Sequence, residues 1–179
     1  MRGAGGHAGR RVVLTGGPGA GKTAVLEVVR RYLCEHVQVL PESAGIVYGG
    51  GFPRLPSDSA RRAAQLAIYH VQDQLERLAL GESLPALLLC DRGVLDGLAY
   101  WPDDDASFFR ATGATPEAML ARYDAVIHLR TPGDANGYNH RNPLRVETAA
   151  EAASIDARLL ALWGAHPRRH VVESTTDFM

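Results

Sequence analysis

Residues 12–33 read VVLTGGPGAGKTAVLEVVRRYL. An apolar run, a glycine-rich turn and an amphipathic stretch follow one another. The octet Gly16-Gly17-Pro18-Gly19-Ala20-Gly21-Lys22-Thr23 fits the pattern G-x-x-x-x-G-K-[ST]. The spacing predicts a strand, a phosphate-cradling loop and a helix running from Lys22 to about residue 33. Glycines let consecutive backbone N–H groups turn inward around an anion, and the helix start adds its positive dipole end. Lys22 is the only lysine among 19 basic residues. A compact ammonium on a thin stem can lie along such a loop and reach two phosphates. A planar guanidinium is wider and prefers forked pairing with one group. Gly17, Pro18, Gly19, Ala20, Gly21, Lys22, Thr23 and Ala24 are therefore the expected nucleotide-binding residues, with the Thr23 hydroxyl a ligand for Mg²⁺.

Outward from this stretch the chain repeats the pattern. Apolar runs at 11–16, 37–42, 86–91, 125–130 and 170–175 show little alternation, as parallel strands covered on both faces do. Helix-like segments separate them, which predicts an α/β fold built of βαβ units. Residues 58–80 set Ala64, Ile68, Val71, Leu75 and Leu78 on one face, with Gly81 as a stop. Residues 147–164 set Ala149, Ala152, Ile155, Leu159 and Leu162 inward. The stretches 43–57 and 131–146 read as long Gly/Pro-rich loops, a length usually kept for function.

Composition narrows the class. A chain of 179 residues with 46% hydrophobic and 22% charged residues fits one domain, burying about 70% of its unfolded surface. A formal net charge of −1 supplies no general attraction for nucleic acid. No run approaches the roughly 18 apolar residues of a membrane span. Cys34 and Cys90 have neither metal-ligand nor redox spacing, which fits a reducing, cytoplasmic setting. The glycine-rich residues 1–10 read as a flexible tail, leaving 11–179 as the folded, nucleotide-binding domain.

Phosphoryl transfer needs a held metal, a placed nucleophile and positive charge over the moving group. Parallel sheets put working residues at strand carboxyl ends. Glu42 ends the second run and Asp91 the third, so one is expected to act as base and the other to hold Mg²⁺, with the assignment open. Arg92 beside Asp91 is placed to bind an acceptor or orient a carboxylate. Arg130 ends the fourth run, and the loop after it carries Arg141 and Arg145, the charge a closing lid would bring. Arg54, in YGGGFPRL, is a candidate for an acceptor anion. The run Asp103–Asp105 reads as helix-start charge. His128 reads as a core or crevice residue, and Phe52, Tyr100 and Trp101 as packing aromatics.

The blocks GGPGAGKT, PESAG, DRGVLDGLAY, YDAVIHLRTP, NPLRVET and STTDF together resemble the AAA_28 family of P-loop proteins, which is grouped with ribosylnicotinamide kinase domains and has deoxynucleoside-kinase-like relatives. The resemblance runs from about residue 11 to the end. It implies a three-layer α/β/α P-loop NTPase fold, with a five-stranded parallel sheet of order 2-3-1-4-5 and a substrate pocket over the loop. It implies a base at Glu42, an acid–arginine pair at Asp91 and Arg92, and an arginine lid at Arg141 and Arg145. Asp96 would contact acceptor or metal, and Ser174, Thr175 and Thr176 the nucleotide base. It also implies a further helix beyond Met179.

The expectation is an ATP-dependent kinase for a hydroxyl of a small nucleoside-like molecule, using Mg²⁺ with ATP (GTP equally compatible with the loop). The catalytic set is Lys22, Glu42, Asp91, Arg92 and Arg145, and the acceptor set Glu42, Arg54, Arg92 and Asp96. The alternative is a regulatory nucleotide-binding module or slow NTPase without an acceptor. A GTPase of the usual kind is disfavoured, since an N-K-x-D motif requires a second lysine.

Overall fold

The computed structural model describes residues 9–33, 36–83, 85–132 and 148–174. Five strands, β1 (Arg10–Thr15), β2 (Val37–Leu40), β3 (Leu87–Asp91), β4 (Ala125–Leu129) and β5 (Arg169–Val172), form one all-parallel sheet in the order β2-β3-β1-β4-β5. This is the expected order. Among the described residues six α-helices surround it: α1 (Lys22–Tyr32), α2 (Ser43–Gly49), α3 (Asp58–Leu78), α4 (Asp105–Thr112), α5 (Pro116–Ala121) and α6 (Ala149–Leu162).

Alternate residues of the central strands feed two separate cores, which makes the architecture three-layered. Leu14, Leu89 and Leu129 pack with Leu26 of α1 on one face. Val13, Leu88, Cys90 and Val126 meet Tyr69, Phe108, Met119 and Trp163 on the other. A strand covered on both sides has no polar face to alternate with, hence the continuous apolar runs. β5 departs from this: Val171 and Val172 at the sheet edge are exposed.

Several boundaries differ from the sequence expectations. β1 opens at Arg10, one residue inside the stretch read as a tail, of which residues 1–8 lie outside the described residues. The expected loop 43–57 opens with a seven-residue helix, α2, which begins just after Glu42. Gly81 does not stop α3, which runs on into a π turn, Ala79–Ser83. The aspartate run does start a helix: Asp104 accepts from the Ser107 amide at 2.8 Å. Asp103 and Asp105 pair with Arg62 and Arg158, each at 2.8 Å.

The inner face of α3 is the chief surprise. Leu78 is exposed, whereas Ala64, Gln65, Tyr69, Gln72, Asp73 and Glu76 are buried. Amides and carboxylates thus enter the molecule alongside part of the aliphatic stripe, of which Ala64 is buried and Leu75 packs against the core.

Candidate functional site

β1 lies between β3 and β4, with Leu14 opposite Asp91 and Thr15 opposite His128. The chain leaving Thr15 therefore emerges between two strand ends and turns back into α1. Gly21 caps α1 at φ 83°, a left-handed conformation that a side chain resists, and no side chain caps the first-turn amides. Those uncapped N–H groups are an anion site in waiting. Gly17 is glycine for a different reason: a Cβ would strike Thr131 Oγ1 and come within 2.8 Å of the Asp156 Cβ. α6 is pressed directly onto the loop there, and the Gly17 amide donates to Asp156 Oδ1 at 3.1 Å.

Lys22 is buried and folded back on the loop, its Nζ donating to Gly16 O at 2.8 Å and Gly17 O at 3.0 Å. Burial, then the Arg92 charge, push its pKa down to about 7. An ammonium held in that condition gains from any polyanion that reaches it. Thr23 is exposed on the first turn, and with Pro18 to Lys22 it lines a cavity above the loop.

The acids meet that cavity from the far side. Asp91 is the last residue of β3, and its Oδ1 is buried with no hydrogen-bond partner among the described residues. Burial, with the Glu42 charge adding, pushes its pKa up to about 6. Glu42 lies two residues past β2 at the start of α2. Burial would raise its pKa, but the charge and hydrogen bond of Arg92 outweigh this and hold it below the usual value. Arg92 Nε donates to Glu42 Oε1 at 2.7 Å.

Arg92 is aimed by its backbone. It is the non-glycine residue with positive φ among those described, at 72°, and its amide donates to Leu14 O at 3.0 Å. Non-glycine residues adopt this conformation only where the surroundings enforce it. Its NH1 reaches Gly16 O at 3.3 Å and Asp96 Oδ2 at 3.4 Å, and its guanidinium lies 5.8 Å from the Tyr100 ring centre. Asp96 lines the cavity, yet both its oxygens are engaged: Trp163 Nε1 donates to one at 2.7 Å, Thr15 Oγ1 to the other at 2.7 Å. Its position is that of an anchor behind Arg92.

The cavity has a volume of about 200 Å³, and Lys22, Thr23, Glu42, Arg54, Asp91 and Arg92 all line it. Arg54 sits over the Tyr48 ring, 5.0 Å from its centre. Sequence reasoning missed Ser43, Tyr48, Gln65, Tyr69 and Gln72, which complete the wall. The available signal was the polar set Gln65, Tyr69, Gln72 at helical spacing inside an apolar pattern. Tyr100 faces the cavity, whereas Trp101 packs in the core. Ser174 follows β5 and is half-buried. Arg141, Arg145, Thr175 and Thr176 lie outside the described residues.

The sequence profile of the AAA_28 family, described as an AAA domain, matches residues 11–178. The chain belongs to the AAA_28 family. A search among curated proteins finds no match. Among solved structures, NadR protein in complex with NAD and AMP-PNP is similar at a TM-score of 0.65 and 16% identity. That likeness covers 94% of this chain and 45% of NadR, so the chain spans less than half of the NadR length. Thymidylate kinase from Ehrlichia chaffeensis is similar at 0.61 and 16% identity, covering 92% of this chain and 93% of the kinase. The likeness is one of fold: this AAA_28 chain has the P-loop kinase architecture. Among its described residues no helix is long and apolar enough to cross a membrane.

Proposed function

We propose that this AAA_28 chain is an ATP-dependent kinase that phosphorylates a hydroxyl of a small, nucleoside-like molecule. The observation that carries the reading is the meeting of Glu42, Arg92, Asp91 and Lys22 around one cavity above the phosphate loop. A nucleotide switch has no use for an acceptor cavity with a paired carboxylate in its wall. At about 200 Å³ the space suits one small molecule. The Gln65 side chain makes no hydrogen bond to any described residue although Gln65 is only 8% exposed, and Tyr48, Tyr69 and Tyr100 stand around the same cavity. An aromatic wall with an amide to spare favours a flat ring bearing polar edges.

The two acids divide the work. Glu42 stays ionised beside Arg92 and is the base, accepting the acceptor hydroxyl's proton as its oxygen bonds to the γ-phosphorus. The bond from that phosphorus to the ADP oxygen breaks, and ADP carries away the electron pair. Lys22 and the loop amides hold the phosphates, and Arg92 stabilises charge on the group in transit. The unpartnered Asp91 Oδ1 fits a cation. Among the described residues no group of three or more His, Cys, Asp or Glu gathers for a metal. That suits Mg²⁺, which typically takes one or two protein ligands and completes its shell with water and phosphate. Asp91 and the Thr23 hydroxyl would hold it, and when bound it neutralises phosphate charge. The NadR structure in complex with NAD and AMP-PNP supports a triphosphate in the corresponding fold. Arg141, Arg145, Ser174, Thr175 and Thr176 belong to the proposal as lid and base contacts. A chain without a membrane-spanning helix among its described residues suits a cytoplasmic enzyme.

The test is a panel of nucleosides, including nicotinamide riboside, incubated with MgATP and followed by mass spectrometry for a phosphomonoester. Acceptor-dependent ADP release that disappears in Glu42→Gln supports the reading. Nucleotide binding with no phosphorylated product from any acceptor overturns it.

A further inference from the structure

Glu76 plays no part in the chemistry just described, yet it is a fully buried carboxylate on α3. Such a charge costs several kcal/mol unless its oxygens are filled, and here they are. Oε1 accepts from Gln72 Nε2 at 2.9 Å and from the Tyr123 hydroxyl at 2.7 Å. Oε2 accepts from Arg122 Nε at 2.6 Å, and Arg11 lies 3.6 Å away. Two of these partners lead on to the cavity.

An ionised carboxylate only accepts, so the Gln72 NH₂ must face Glu76 and its carbonyl must face outward. That carbonyl takes the Ser43 hydroxyl proton at 2.6 Å. On the other arm, Tyr123 gives its own proton to Glu76 and accepts from the Val94 amide at 2.9 Å. Ser43 directly follows Glu42, and Val94 lies two residues beyond Arg92 and three beyond Asp91. The Glu42–Arg92 pair closes the circuit. The result is a ring of polar contacts, each with one permitted direction, spanning the segments that carry the two strand-end acids. Apolar residues of similar size would stabilise that interior at least as well, so stability alone does not account for the ring.

We propose that Glu76 is a positioning residue for the acceptor half of the site: through Gln72 to Ser43, and through Tyr123 to Val94, it fixes Glu42 against Arg92 and the turn after Asp91. The consequence for catalysis rests on the kinase reading; the coupling itself does not. Gln72→Met breaks the Ser43 arm while leaving Tyr123 and Arg122 on Glu76. Tyr123→Phe breaks the other arm.

The first measurement needs no substrate. Amide hydrogen exchange by NMR should show Val94 exchanging at least fivefold faster in Gln72→Met, although the Gln72 side chain bonds Ser43 and Glu76 and the Val94 amide bonds Tyr123. An unchanged Val94 rate in a variant whose urea unfolding shows it folded overturns the proposal. The second uses the acceptor found by the panel. Ser43→Ala and Tyr123→Phe should each lower kcat about tenfold with MgATP affinity within twofold of the parent. The double variant should lose clearly less than the product of the two, because both cut one circuit. Independent, multiplicative losses, or equal loss of nucleotide affinity, overturn it. Should no acceptor be turned over at all, the kinase reading falls and the exchange result alone decides the coupling.

Discussion

Lys22 is stored at a disadvantage. Its ammonium is buried on two carbonyls, with Arg92 as a neighbouring like charge, and its pKa sits near 7. Taking a charge out of water costs several kcal/mol, and the downward shift shows that burial and Arg92 outweigh the compensation from Asp91, Glu42 and Asp96. Lys22→Met should therefore raise the urea stability of the nucleotide-free protein while weakening MgATP binding at least a hundredfold. Lys22→Arg should bind poorly as well, since the wider guanidinium cannot follow the stem's path between Gly16 O and Gly17 O; parental affinity in that variant would refute the argument from shape. Asp91 separates binding from chemistry. Asp91→Asn removes the charge offered to the cation but leaves the loop intact, so calorimetry should find nucleotide affinity within tenfold. Mg²⁺-dependent turnover should fall at least a hundredfold.

At the scale of elements, α6 acts on the phosphate loop through one side chain. Asp156 is buried and accepts from the Gly17 amide at 3.1 Å and from His128 Nε2 at 2.9 Å, and it lies 2.8 Å from Arg130 Nε. Because the carboxylate only accepts, it sets the His128 proton on Nε2. Burial would raise the Asp156 pKa, but the His128 and Gly17 hydrogen bonds and the neighbouring charges hold it below the usual value. With the folded value below the unfolded one, its stabilisation is complete above about pH 4 and is lost as pH falls through the folded value. Asp156→Asn should cost about 3 kcal/mol at neutral pH and flatten the acid limb of a stability-versus-pH curve below pH 4. An unchanged limb would count against the brace. The same helix shows what was legible. Ala152 and Leu159 are buried as the apolar spacing predicts, but Asp156 between them gives no sign in the sequence of the partner it meets, because Gly17 is 139 residues away. On α3 the shortfall is larger. An aliphatic stripe and a stripe of Gln65, Tyr69, Gln72 and Glu76 both have helical period, and only the tertiary partners Ser43, Tyr123 and Arg122 make the polar one the inside.

For the molecule as a whole, the strands and the α/β class were readable because each strand is an apolar run and each crossover a helix, whereas the strand order and layers were implied by the resemblance to the AAA_28 family. The phosphate loop was readable because its demands are local: glycines, one lysine and one hydroxyl within eight residues. The cavity wall was readable only in part: Glu42, Asp91 and Arg92 follow from their places after β2 and β3, whereas Ser43, Tyr48, Gln65, Tyr69 and Gln72 come from α2 and α3, which no local pattern joins to the loop. This division has a thermodynamic counterpart. The loop, Asp96 and Asp156 tie β1, β4 and α6 together, so a ligand seated on the loop stabilises the whole domain. A ligand binding only the folded state adds about 2.7 kcal/mol at a hundred times its Kd. A domain of this length gains about 2–4 °C in Tm per kcal/mol. MgATP at that excess should raise the melting temperature by about 5–10 °C, with the shift absent in Lys22→Ala. Running MgGTP beside it measures base preference, because the phosphates are common to both nucleotides. No shift with either nucleotide at millimolar concentration would mean that the loop fold is kept here without its ligand. The cavity beside it would then have to be explained by a phosphate-free molecule bound against the Glu42–Arg92 pair.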